Sequence, residues 1–142
     1  MLQNIALGST LMVLTTFIHA GCTMATVGLA RRSQARHWAT RSAGTREIMI
    51  VSIVLMMFFA ALIEAALWAA SYLWVGALSD FESALYFSTV TFTTLGYGDI
   101  VLDDRWRLLA SFQAANGIVM FGWTTALIMA AVQRVYFPSK GR

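Results

Sequence analysis

The sequence predicts an all-α membrane protein: three transmembrane helices, with a short re-entrant helix and an extended segment between the second and third. Composition is the first reason, since 58% of the 142 residues are hydrophobic and only 12% are charged, with a mean hydropathy of +0.67. Spacing is the second: the charges cluster and leave apolar stretches over residues 5–30, 48–76 and 108–135, each above the ~20 residues that cross a bilayer. The third is a shorter apolar run at 81–94, too short to span and suited to a re-entrant segment. Non-helical backbone at membrane depth is tolerated only where protein buries it or where it lines a watery cavity.

The first span is an integral helix rather than a cleaved leader: no Lys or Arg precedes Arg31, and the apolar stretch exceeds a signal h-region. Ala20-Gly21-Cys22 only faintly matches a lipoprotein cleavage site, without its basic start. Cys22 is the single cysteine, so it forms no intrachain disulfide, packs as a small hydrophobe and says nothing of redox compartment. The segment 31–46 carries Arg31, Arg32, Arg36, Arg41 and Arg46 with no acid. By the positive-inside rule it is cytoplasmic. Two spans and one re-entrant loop later, the tail with Arg134, Lys140 and Arg142 falls on the same side, which leaves the N-terminus outside. The net charge of +3 therefore signals orientation, with anionic lipid headgroups near the five arginines and no nucleic-acid partner. The implied location is the plasma membrane.

Ser79-Asp80-Phe81-Glu82 reads as a capping box opening the short helix, expected over 80–93. Its C-terminal end carries partial negative charge, which favours a cation there. Thr93 and Thr94 close the helix, and Leu95-Gly96-Tyr97-Gly98-Asp99 follows. Gly96 and Gly98 tolerate unusual backbone angles at alternate positions, as required where carbonyl oxygens replace the water shell of an ion. Segment 94–99 thus reads as an ion selectivity filter.

Thr94-Leu95-Gly96-Tyr97-Gly98-Asp99 resembles the signature of tetrameric potassium channels, Thr-x-Gly-Tyr-Gly-Asp, with Leu95 where those proteins usually carry valine. The resemblance spans roughly residues 48–133 and is motif-specific from 80 to 99. It implies that potassium ions bind at the carbonyls of Thr94, Leu95, Gly96, Tyr97 and Gly98, that no other cofactor is needed, and that the working unit is a homotetramer, since one chain supplies one of four filter segments. Asp99 then opens outward, which agrees with the orientation read from the arginines. Tyr97 points away from the axis and needs a polar partner for its hydroxyl. Tyr86 and Phe87 match the aromatics that brace the filter. Val90 stands where some of those channels carry a glutamate bonding the aspartate after the filter, so Asp99 needs another partner, and Tyr86 is the candidate.

The domain plan that follows has an additional helix at 1–30, a basic loop at 31–46, a pore domain at 47–135 and a short tail at 136–142. Within the pore domain lie the outer helix 47–77, pore helix 80–93, filter 94–99 and inner helix 106–135. Trp106 sits where an interfacial anchor belongs, and Arg105 and Arg107 are expected to pair with Asp99, Asp103 and Asp104. By the resemblance, Gly117 matches the bending glycine of the inner helix, with close packing as the competing reading. Ile118, Phe121, Thr125 and Met129 share one face and, by the same resemblance, line the cavity. Asn116 is expected to bond the back of the pore helix or a neighbouring chain, because a polar group in hydrocarbon is costly without a partner.

His19 and Glu64 are the ionisable groups deep in spans, hence candidates for pH sensitivity. Counting ~1.5 Å per residue from the cytoplasmic ends sets Glu64 about 7 Å further out than His19, so the two need not meet. The first span lacks arginine at every third position and is no ordinary voltage sensor. An enzyme is excluded, as no paired carboxylates, nucleophile with base or metal-ligand cluster occurs. Passive selective potassium conduction is the expectation; the alternatives are a weakly selective cation channel, made possible by Leu95, and a non-conducting pore-loop subunit.

Overall fold

In the computed structural model the described residues, 1–36 and 43–137 (for 30–36, 43 and 45 the backbone alone), form four helices. These are α1 (Leu2–Arg36), α2 (Ala43–Trp74), α3 (Phe81–Phe92) and α4 (Arg107–Tyr136). Three are long and apolar enough to cross a membrane, over Leu2–Leu29, Arg46–Trp74 and Arg107–Tyr136, and the chain is a multi-pass membrane protein. The basic loop around Arg41 and the tail with Lys140 and Arg142 lie outside the described residues, as do the side chains of Arg31, Arg32 and Arg36.

Helix α2 stops at Trp74, short of the expected residue 77, because Gly76 adopts φ +69 and turns the chain back. The Ala77 N–H donates to the Tyr72 carbonyl at 2.8 Å and the Gly76 N–H to Leu73 at 3.0 Å. This is a Schellman stop, with glycine at the left-handed position. Helix α3 starts one residue later than the expected capping box. Asp80, not Ser79, is the N-cap, and its carboxylate accepts from the Ser83 N–H at 2.8 Å.

Helix α1 packs against both α2 and α4. Its buried residues Asn4, Gly8, Leu11, Thr15, His19 and Thr26 recur at three-, four- and finally seven-residue steps and are largely polar, whereas Val13, Leu14, Phe17, Met24 and Leu29 are exposed. Such inversion suits a helix whose solvent is lipid: apolar side chains face out, and polar ones find partners inside. It runs parallel to α4, since Asn4 meets Arg105, Gly8 meets Phe112, Thr15 meets Asn116 and His19 meets Thr124 in ascending order. A Cβ at Gly8 would come within 2.8 Å of the Phe112 ring, so the close crossing needs glycine.

The core gathers Leu11, Trp68, Tyr72, Phe87, Phe92, Leu102, Trp106, Leu109 and Met120 where the four helices converge. Trp106 belongs to it at 3% exposure and is therefore a packed residue, not the interfacial anchor expected. Its ring also carries the Arg105 guanidinium, 4.8 Å from the centroid. Arg107 pairs with Asp104 at 2.7 Å as its neighbourhood suggested, and its Nε donates to the Leu102 carbonyl at 3.1 Å.

Two further expectations are corrected. Asn116 does not bond the back of α3; its Nδ2 donates to Thr15 Oγ1 on α1 at 2.8 Å. His19 and Glu64 do meet, with Nδ1 2.9 Å from Oε1 and both side chains fully buried. Counting rise along the axes missed this because side chains lean toward the N-terminus of their own helix. On antiparallel α1 and α2 that tilt brings the imidazole and carboxyl toward each other.

Candidate functional site

Segment 93–99 follows α3 directly and is exposed throughout. Its first bonds form another Schellman stop: the Leu95 N–H donates to the Val90 carbonyl at 2.9 Å and the Thr94 N–H to Thr91 at 3.0 Å. The left-handed position here is Thr94, with φ +61. A β-branched residue in that region is a genuine outlier, and such strain concentrates at functional positions. Gly76 shows what the same chain places at an equivalent turn without a special task.

Gly96 and Gly98 continue with φ +57 and +78. Positive φ thus occurs at 94, 96 and 98 and not at Leu95 or Tyr97. In a regular strand successive carbonyls face opposite sides. Alternation in the sign of φ is a means of turning them toward one side. Added methyl groups at Gly96 or Gly98 would meet no neighbour within 4 Å, so these positions need glycine for backbone angle and not for space.

The far end of the segment is tied to α3. The Tyr86 hydroxyl donates to Asp99 Oδ2 at 2.7 Å, and this bond holds the Asp99 carboxyl below the usual aspartate range while raising the Tyr86 phenol. Asp80, at the start of α3, is likewise held low by the Ser83 N–H.

Behind the segment, α3 is locked to both neighbouring spans. The Ser88 hydroxyl donates to the Ala65 carbonyl at 2.6 Å. Gln113 Nε2 donates to the Ser88 carbonyl at 3.1 Å and also lies 2.6 Å from Ser88 Oγ. The Tyr72 hydroxyl donates to Gln113 Oε1 at 2.7 Å. All four groups are buried, and the Phe87 ring packs edge-on against Tyr72 with centroids 5.2 Å apart. Gln113, Ser88 and Tyr72 were not among the residues singled out from the sequence. The available signal was an amide within an apolar span, a signal that Asn116, three residues on, also carries.

Gly117 lies where α4 crosses the end of α3: a Cβ there would overlap the Phe92 carbonyl and come within 2.8 Å of its carbon. Helix α4 is continuous through this point, so close packing accounts for the glycine in this conformation. Phe121 contacts Phe92 edge-on at 5.7 Å. Ile118, Phe121, Thr125 and Met129 are exposed, as are Leu95 and Tyr97, and only 17% of the most apolar window of α4 is buried.

Two membrane spans bracketing a capped half-length helix and an exposed, alternately twisted segment define a channel-type membrane protein. The chain belongs to the ion channel family, whose sequence model matches residues 59–134, more than half its length. That family is one of pore-loop channels and not of enzymes. No group of three or more His, Cys, Asp or Glu suited to a metal ion occurs among the described residues. No solved structure matches the chain.

Proposed function

We propose that the protein conducts potassium ions passively across the membrane as a homotetramer, with segment 94–99 as the selectivity filter and α3 as the pore helix. The observation that carries this reading is the alternation of positive φ at Thr94, Gly96 and Gly98 within an exposed segment. It equips the carbonyls of Thr94, Leu95, Gly96 and Tyr97 to line one side, with Gly98 completing the turn. Four copies around an axis make rings of oxygens that replace the hydration shell of a potassium ion. No other cofactor is required.

Fourfold assembly also supplies cover for the faces left open in one chain. Tyr97 meets a neighbouring α3, and Ile118, Phe121, Thr125 and Met129 line the cavity beneath the filter. Tyr86, Phe87, Val90 and Asp99 support the filter from outside. The arginines at 31–46 place that loop and the C-terminus in the cytoplasm of a cell whose plasma membrane holds the channel, near anionic headgroups. The N-terminus is then outside. Gly117 serves first as a packing residue, and any bend of α4 there must also release the Phe92 contact.

Reconstituted protein in potassium-loaded vesicles provides the test. Wild-type protein passes potassium, and Gly96→Ala, which puts a Cβ on a residue at φ +57, abolishes the flux. Equal fluxes reject the filter assignment. A potassium to sodium permeability ratio near one rejects selectivity and leaves a weakly selective cation pore, the outcome that Leu95 would explain. No flux from either protein leaves a non-conducting pore-loop subunit.

A further inference from the structure

Helix α1 is attached to the rest of the chain by polar groups at three depths. Asn4 Nδ2 donates to the Arg105 carbonyl, Asn116 Nδ2 to Thr15 Oγ1, and His19 reaches two helices at once. Its Nδ1 lies 2.9 Å from Glu64 Oε1 on α2, and its Nε2 lies 3.2 Å from Thr124 Oγ1 on α4. The Trp123 ring, also on α4, sits 5.4 Å from the imidazole. His19 and Glu64 are fully buried, and Glu64 Oε2 has no hydrogen-bond partner among the described residues.

We infer that His19 and Glu64 form a proton-binding site whose occupancy governs how firmly α1 holds α4. A charge sealed in this setting is strongly disfavoured unless its partner balances it. The pair is balanced with one proton between them, either as imidazolium and carboxylate or as two neutral groups. A second proton leaves an unpaired cation, and loss of the only proton leaves an unpaired anion.

Among the described residues nothing else nearby supplies the missing charge. On α1 the neighbouring titratable group is Cys22, and no charged residue precedes Arg31. On α2 the others are Arg46, Glu47 and Tyr72, and on α4 Arg107, Arg134 and Tyr136, each at least eight residues from the contact, or ~12 Å along a helix.

Linkage gives the pH window. In water an imidazole titrates near about 6.5 and a glutamate near about 4.3. A pair exposed by release therefore holds one proton between those values, the count at which the closed contact is balanced, and the contact is tightest there. Above about pH 6.5 an imidazole exposed by release gives its proton up, whereas in the closed contact that loss would leave the buried carboxylate unbalanced. Release is then favoured by up to about tenfold per pH unit. Below about pH 4.3 the released pair takes a second proton, and release is favoured again. Because Thr124 adjoins Thr125 and lies three residues from Phe121, loosening this contact acts on the stretch of α4 that the proposed function places along the cavity.

The test compares wild type with the double variant His19→Gln/Glu64→Gln, which keeps amides at both positions and cannot titrate. Thermal unfolding of the purified protein from pH 5 to pH 8.5 reads the site without conduction. The wild-type midpoint minus that of the double variant should be greatest near pH 5–6 and fall toward pH 8.5. A difference that is flat in pH overturns the proposal, and comparison with each single variant separates misfolding from loss of titration.

The coupling to α4 rests on the conducting reading, and flux tests it. Wild-type flux should change several-fold between pH 6 and pH 8, and that of the double variant should not. A double variant that keeps the wild-type pH dependence overturns the coupling. Absence of flux at every pH rejects conduction instead, while the unfolding difference still decides the proton site.

Discussion

Thr94 is the residue at which local chemistry and role conflict most openly. A glycine at φ +61 would cost nothing, as Gly76 shows at the end of α2, whereas a non-glycine residue there costs about 1–2 kcal/mol. The threonine hydroxyl is the compensation that the filter reading supplies. Thr94→Gly is accordingly expected to leave the unfolding midpoint equal or higher and to lower potassium flux, measured on the same preparation. Asp99 offers a second residue-scale prediction. Its titration is depressed by the Tyr86 hydroxyl, so the contact is intact above the ordinary aspartate range and is lost as pH falls through the lower folded value. Tyr86→Phe should move the protonation of Asp99 upward toward about 4, seen as the carboxyl stretch in infrared titration and as earlier loss of flux on the acid side. An unmoved titration would mean that the backbone N–H groups of Asp99 and Ile100 suffice to hold it.

At the scale of elements, α3 is a twelve-residue helix that neither spans nor packs alone, and its position is set by Ser88, Gln113 and Tyr72. Gln113→Leu preserves bulk but strands the Tyr72 hydroxyl in the core and removes the donor that ties α4 to Ser88. Each unmet buried group costs about 1–3 kcal/mol, and the expected outcome is a large loss of thermal stability. Tyr72→Phe, which removes one donor and leaves Gln113 tied to Ser88, should cost less. Gly117→Ala tests the crossing of α4 over α3. The added methyl meets backbone and not a movable side chain, so about 1–3 kcal/mol of overpacking cost is expected. A variant of unchanged stability with altered opening would instead favour the bending role.

At the scale of the whole molecule, the single chain leaves most of α4 and all of segment 93–99 uncovered. Native mass measurement of the detergent-purified protein is expected to give a complex of four chains, and a monomer would refute the assembly. The chain also shows why α1 is not a loose addition. It is parallel to α4, joined to it at two depths and to the turn before it at a third, and crosses it at Gly8 against Phe112. Polar residues inside and apolar residues outside hide such a helix from an ordinary amphipathic reading, since the usual sign of the pattern is reversed in lipid.

The sequence by itself determined the three spans, the short helix between the last two and the segment at 94–99, because span length, hydropathy, capping residues and paired glycines are local properties. The resemblance that the sequence carries also made Tyr86 the candidate partner of Asp99, because Val90 stands where some of those channels carry the partner. Tertiary structure alone decided the pairing of His19 with Glu64, the choice of Gln113 over Asn116 behind α3, and the burial of Trp106. Each depends on helix tilt, rotation and side-chain lean between elements distant in the chain, and a difference of one helical turn changes the partner without changing the hydropathy that the sequence displays.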